Sequence, residues 1–547
     1  MVFQNVFLMA ATMVAGWSCF ALDYRPLGAC PDAVTAEGAG FTNALARADD
    51  VWTSGAIVVT TRMRTADSAT VSVASPEKGL RFVRLFWKCA LPADASFLGD
   101  TWERSYGNLG WRKRDASGPM PWYFLANDGA VTHGYGVGVQ PNALACWRVR
   151  ADGIELQLDL RAGGQPVRLG SRTLVACTVM SRKGVAGERA WAAGHAFCRM
   201  MCPFTRLPKE PVYGYNDWYC AYGRNTGTNF LADAAYIAEC AKGLANRPYV
   251  VMDDGWQPFA PPVCKNDSGR GPWDRSGDPF GMEMSVFAKK VAALDAKPGL
   301  WYRPFRAWDN MPAEWRLRSN AAYVDPTVPD VKRQVYGDVS RFRTWGFKLV
   351  KIDYLTFDIN NRWGFSLGDR VIHDDRAWTD DSRTTAEVLL DLYRTMRAAA
   401  GDDMVIIGCN ALNHFAAGLF ELQRTGDDTS GREWARTRRM GPNTLGFRSI
   451  QDRVFFAVDA DCVGMESAGA VPWEKNRQWL DLVARSGTPL FVSWHRKLAT
   501  PEFRAALSEA FRHAAGEQPT GEPLDWMSTQ SPAKWRFGSD TVEYNWD

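Results

Sequence analysis

The sequence predicts a multidomain α/β protein: an N-terminal β-sandwich, then a (β/α)8 TIM barrel, then a short C-terminal β segment. Three observations predict this. Short alternating apolar runs fill residues 24–205; strand-like and helix-like runs alternate from Pro211 onward; and the strand-like runs number eight by residue 494. Eight consecutive strand–helix units are what a closed parallel barrel requires, and a doubly wound sheet rarely uses so many. The expected divisions are 1–22 (leader), 23–205 (sandwich), 206–516 (barrel) and 517–547 (C-terminal β segment).

The leader is expected because an apolar run from Val6 to about Ala21 turns polar at "LDYRP". It is too short for a membrane span and resembles a secretory signal, although no Lys or Arg precedes it. It implies an exported protein with no stable membrane insertion. The sandwich strands are "AIVVTTRMRT", "TVSVAS", "RFVRLFWKCA", "ACWRVRADGIELQLDLRAGG" and "RTLVACTVMS", separated by Gly, Asp, Ser and Pro. "GYGVGV" (134–139) lies within strand-like sequence and opens no helix, so it is not a nucleotide loop. The barrel strands begin near residues 212, 249, 299, 347, 404, 419, 453 and 488, with helical patterns such as "NFLADAAYIAECAKGLA" and "EVLLDLYRTMRAAA" between them. The tail "KWRFGSDTVEYNWD" reads as two further strands.

With 46% hydrophobic and 23% charged residues and a net charge of +3, spread evenly, the chain suits neither nucleic acid nor an anionic membrane as partner. Its 24 tryptophans suit flat sugar rings, but also large cores. The twelve cysteines have no paired spacing; some disulfides are compatible with export, and Cys198 and Cys202 have no second pair for a metal knot. Asn266-Asp267-Ser268 fits a glycosylation sequon.

The polar residues of the barrel fall at strand C-terminal ends, which converge on one mouth. They are Asp217 and Trp218; Asp253, Asp254 and Trp256; Arg303 and Arg306; Lys351 and Asp353; Cys409 and Asn410; Arg424, Asp427 and Asp428; and Asp459 and Asp461. Within "GFKLVKIDYLTFDI", Lys351 and Asp353 are two apart and so share one strand face. HExxH, paired CxxC and P-loop signatures are all absent, which removes the usual support for metalloprotease and NTPase chemistry. Neither metal nor cofactor is expected. Two carboxylates across an aromatic, hydroxyl-binding pocket suit glycoside hydrolysis.

The ordered series "NDWYCAYG", "VVMDDGWQ", "GLWYRP", "KLVKIDY", "RTGDDTSGREW" and "FFAVDADCV" resembles the α-galactosidase clan, glycoside hydrolase families 27 and 36. The resemblance is closer to family 36, whose sandwich domain "FLGDTWERSYGNLGW" also resembles. It runs from residue 97 to about 465. It implies Asp353 as nucleophile and Lys351 as its electrostatic support and a sugar contact. Asp253 and Asp254 would grip the outer hydroxyls with Trp256 as a wall, and Arg424 would reach the 2-position. Trp218, Cys409 and Asn410 complete the expected binding set. The acid/base falls in "RTGDDT", where one alignment selects Asp428, which is favoured, and another Asp427. Three departures stand out: Arg303 at an often acidic position, "GCNALN" without a glycine-rich run, and "VDADC" in place of an N-D-P-D form.

The resemblance implies a secreted, retaining exo-α-galactosidase or α-N-acetylgalactosaminidase, with an α-galactoside oligosaccharide or glycan as partner. The alternatives are a galactosyl-transferring enzyme resembling raffinose synthases and a non-catalytic glycan-binding barrel. A retaining double displacement requires the two carboxyl groups about 5–5.5 Å apart. It also leads to the expectation that charge repulsion and desolvation raise the pKa of the acid/base.

Overall fold

The computed structural model describes residues 22–259, 269–465, 467 and 470–547. The expected leader lies outside these residues except for Leu22, whose amide donates to Asp128 Oδ2 (3.0 Å). The sequon lies outside them entirely.

The N-terminal part consists of two antiparallel sheets of six and nine strands. Alternation creates them: in Ile57–Thr65 the residues Ile57, Val59 and Thr61 are buried, while the residues between them are less so. Trp147 of one sheet meets Phe124 of the other edge to face at 5.8 Å. "GYGVGV" enters the strand Thr132–Val137. A Cβ at Gly134 would lie 2.5 Å from the Phe197 ring, so that glycine lets helix α1 (Ala190–Met201) lie against the sheet.

The eight expected barrel strands form one parallel, TIM-barrel-like sheet. They are β1 (Tyr213–Asn216), β2 (Tyr249–Met252), β3 (Lys297–Tyr302), β4 (Leu349–Ile352), β5 (Val405–Gly408), β6 (Leu422–Arg424), β7 (Ala457–Asp459 and Cys462–Met465) and β8 (Leu490–Trp494). Pairing runs in chain order, and β8 returns to β1. Strand β7 changes partner midway: its first piece pairs with β6 and its second with β8. The break is at Asp461, whose φ of 66° no regular strand accommodates.

Pleating sorts the side chains. Val251, Leu349, Ile407, Leu422 and Phe491 pack together in the lumen, whereas Val250, Val350 and Ile352 face the outer core. Each such burial contributes roughly 1.5–3 kcal/mol. Lys351 and Asp353 follow Leu349 on the lumen side and rise to the mouth. Helices are started by local chemistry: Thr384 and Glu387 form a reciprocal cap on α2 (Thr385–Ala400).

The segment 100–107 of the N-terminal part is built into this mouth. Ser105 N donates to Thr425 O (2.7 Å) and Asp427 N donates to Ser105 O (2.8 Å), extending β6 by one bridge. Beneath it, a buried ion pair joins Asp100 to Arg448, and Gln451 donates to Asp100 Oδ2 (3.1 Å). The C-terminal residues form three short strands, one more than expected. All ten described cysteines are free thiols. Among the described residues no helix is long and apolar enough to cross a membrane.

Candidate active site

Asp353 follows β4 directly. Its Oδ1 accepts from Tyr354 N (2.7 Å) and, with the Asn410 amide oriented to satisfy both of its ends, from Asn410 Nδ2 (2.6 Å). Trp301 Nε1 donates to Oδ2 (3.3 Å). Tyr354 takes φ 61°, so the chain leaves the strand abruptly and Asp353 stays at the rim. The carboxylate is held without being fully enclosed.

Lys351 sits one pleat below. Burying an unpaired ammonium costs several kcal/mol, and Lys351 is nearly buried. Its Nζ lies 2.7 Å from Asp253 Oδ2, which also accepts from Asn216 Nδ2 (2.7 Å). Burial, the largest single influence, would lower the Lys351 pKa; Asp253, Cys409 and Asp353 together more than reverse this and keep it charged. Asp254 is different. Burial pushes its pKa up to about 8, against the opposing hydrogen bond that Gln257 Nε2 donates to its Oδ1 (2.5 Å), so it holds its proton at neutral pH. Asp217 is similarly pushed up to about 7 by burial and accepts from Asp253 N (2.8 Å).

On the opposite wall, Arg104 reaches in from the N-terminal segment. It pairs with Asp427 (2.9 Å) and Asp428 (3.3 Å), and its Nε donates to Asn410 Oδ1 (3.2 Å). Its Nη1 also donates to Cys409 Sγ (3.3 Å). A single relay therefore runs Asp353–Asn410–Arg104–Asp428. Arg424 pairs with Asp428 (3.3 Å) and Asp461 (3.1 Å) and donates to Cys409 Sγ (3.4 Å). Asp461 also accepts from Thr429 N (2.8 Å) and from the Tyr219 hydroxyl. The break in β7 thus aims Asp461 at Arg424.

The two candidate acid/base residues divide. Asp427 is clamped between Arg104 and Arg436 (2.7 Å) and its side chain is 15% exposed, whereas that of Asp428 is 38% exposed. The pKa of Asp428 corrects the sequence expectation. Desolvation raises it, but Arg104, Arg424 and Lys351 outweigh that and bring it down to about 2. The carboxyl expected to be raised is held low, because sequence reasoning had no cation from the N-terminal part.

Trp256 requires a second correction. It is fully buried, donates to Trp301 O (3.0 Å), and packs edge to face against Phe342 and Trp345 of helix α3 (Pro329–Trp345); it is not a wall of the mouth. Trp301 approaches the site instead. Trp218 sits above the lumen core with its ring against Tyr222 (5.3 Å). Arg303 is neutralised by Asp358 through two bonds (2.9 and 2.7 Å) and lies beneath the Tyr354 ring. The residues missed by the sequence reading are Arg104, Glu103, Trp301 and Asn216. A signal existed for the first two: an adjacent charge pair inside "GDTWERSYG", where Glu103 and Arg104 are both buried.

No family model matches the sequence, and no curated protein matches it. Solved structures do match the fold. An α-galactosidase from Thermus thermophilus, in complex with p-nitrophenyl α-D-galactopyranoside, aligns with TM-score 0.59 over 87% of this chain and 97% of its own, at 18% identity. The chain has the fold of the α-galactosidases. The galactosidase domain of an α-galactosidase–sucrose kinase aligns with TM-score 0.58 over 90% of this chain and 70% of its own, at 14% identity. The family 36 α-galactosidase of Geobacillus stearothermophilus gives 0.56 over 88% and 70%, at 13% identity. At these identities the likeness is one of architecture, and the chemistry rests on the residues described above.

Proposed function

We propose that this protein is a retaining α-glycosidase of α-galactosidase type, hydrolysing terminal α-linked galactosyl residues. The observation that carries this reading is the relay joining Asp353 to Asp428 across the barrel mouth, one carboxylate from the end of β4 and the other just beyond β6. In the first step Asp353 attacks the anomeric carbon while Asp428 gives its proton to the departing oxygen. In the second, Asp428 takes a proton from water, whose oxygen attacks the same carbon and releases Asp353. Asp253, held by Lys351, and Asp254, protonated and able to donate, suit the outer hydroxyls of the sugar.

A proton donor must first hold a proton, and in the free protein Asp428 does not at neutral pH. Substrate supplies the remedy. A sugar 2-hydroxyl that takes the Arg424 donor withdraws it from Asp428, and the ring displaces water from the carboxyl. Both changes raise the pKa. Arg104 remains and sets how far it rises.

Arg104→Gln is therefore expected to move the alkaline limb of kcat, which reports the substrate complex, upward by about 1 pH unit or more. With that cation gone Asp428 binds its proton more tightly, so the protonated form persists to higher pH. The pH profile of kcat checks this, and an unmoved alkaline limb contradicts it. The reading as a whole is tested by release of 4-nitrophenol from 4-nitrophenyl α-galactoside by the wild type and by Asp353→Ala.

A further inference from the structure

Asp353 Oδ1 and one end of the Asn410 side-chain amide are 2.6 Å apart, a separation that a shared proton must bridge. A nucleophile works as an anion, so the proton belongs to the amide, and the atom facing Asp353 is nitrogen. That assignment fixes the other end. The amide oxygen accepts from Arg104 Nε (3.2 Å), and the same position lies 3.3 Å from Glu103 Oε2. Two oxygens so placed repel unless one carries a hydrogen, and an amide oxygen carries none.

The hydrogen must therefore sit on Glu103, which is wholly buried. Its Oε1 accepts from the Tyr106 hydroxyl (2.7 Å). Around it, each neighbouring group has its own use. Thr356, just beyond Asp353 in the chain, spends its hydroxyl proton on Asn410 O (3.0 Å). Arg104, the next residue, aims its guanidinium at Asp427, Asp428, Cys409 and Asn410. Tyr393 of α2 also faces Glu103, and its hydroxyl accepts from Leu412 N (2.9 Å). An ionised carboxylate in this place would be a charge held in the interior with its Oε2 against another oxygen, which is costly. Burial accordingly pushes the carboxyl of Glu103 up, against the opposing pull of Arg104 and Tyr106.

We propose that Glu103 is a positioning residue for the nucleophile: a neutral carboxylic acid that donates from Oε2 to Asn410 Oδ1 and thereby turns the amide NH2 onto Asp353. This rests on the glycosidase reading above and deepens it. An ionised Glu103 would draw the amide nitrogen to itself and set an oxygen against Asp353. Adjacent residues of the N-terminal part thus have separate duties at the mouth, Arg104 as a cation beside Asp428 and Glu103 as an uncharged donor behind Asp353.

Two measurements test this, one of them independent of activity. The infrared difference spectrum of wild type minus Glu103→Gln at neutral pH should show the carbonyl stretch of a protonated carboxylic acid. Carboxylate bands in its place would overturn the proposal. In hydrolysis of 4-nitrophenyl α-galactoside, Glu103→Gln, whose NH2 can still donate to Asn410 Oδ1, should keep kcat within about twofold of wild type. Glu103→Met, similar in length but without a donor, should lower kcat about tenfold, the worth of one hydrogen bond to a charged group, with KM little changed. Wild-type kcat in Glu103→Met would overturn the positioning role, and so would equal losses in both variants. A wild type that hydrolyses no galactoside overturns the glycosidase reading, while the infrared band still decides the state of Glu103.

Discussion

Replacing Asp353 with alanine is expected to cut turnover of 4-nitrophenyl α-galactoside by at least about 10³-fold, as loss of a covalent nucleophile does elsewhere. Binding should survive. The groups assigned to the sugar's outer hydroxyls, Asp253 and Asp254, are held by Lys351, Asn216 and Gln257, none of which needs Asp353 for its position. Galactose affinity, measured by calorimetry, should therefore stay within about tenfold of wild type, because what is lost acts in the transition state rather than the ground state. The space left by the carboxylate also makes a positive prediction. Azide added to Asp353→Ala should attack the anomeric carbon from that face, expel 4-nitrophenolate and leave β-galactosyl azide, an inverted product. Equal turnover in variant and wild type would refute Asp353 as nucleophile; failure to bind galactose would refute the separation between binding and chemistry.

The second large effect separates the adjacent carboxylates. Asp428→Asn is expected to reduce kcat/KM for raffinose by about 10²–10⁴-fold, the usual worth of a general acid. It should reduce it far less for α-galactosyl fluoride, whose leaving group departs with little protonic help. That dependence on leaving group is the mark of the acid. Asp427→Asn removes a different interaction: Asp427 pairs with Arg104 and Arg436 and is bonded through its amide to Ser105. It should lower thermal stability and reduce both substrates alike. If the leaving-group dependence appears in Asp427→Asn instead, the two roles are exchanged.

What the sequence revealed and concealed follows from chain separation. Lys351 and Asp353 were legible because a strand's pleat places residues two apart on one face, and the apolar residues around them identified the strand. The other strand ends were legible for the same reason, since a barrel gathers them whatever its loops do. Arg104 was not, being 324 residues from Asp428 in the chain; nothing local announces a contact made by packing one part of the chain on another. The misjudged acidity of Asp428 is a direct consequence, for repulsion between carboxylates was counted without the cation beside them. Trp256 failed for a local reason. Gly255, at φ 134°, turns the chain so that the following indole enters the interface between barrel and helix, leaving Trp301 beside Asp353. Arg303 proved an innocuous departure, because Asp358, only 55 residues on, neutralises it.

The central claim is that one carboxylate attacks carbon while another handles protons, and the anomeric configuration of the first-formed product tests it most directly. Proton NMR of 4-nitrophenyl α-galactoside during the first minutes of hydrolysis should show α-galactose, with the β-anomer growing only at the rate of spontaneous mutarotation. Initial appearance of β-galactose would mean a single displacement by water and would contradict a covalent intermediate on Asp353.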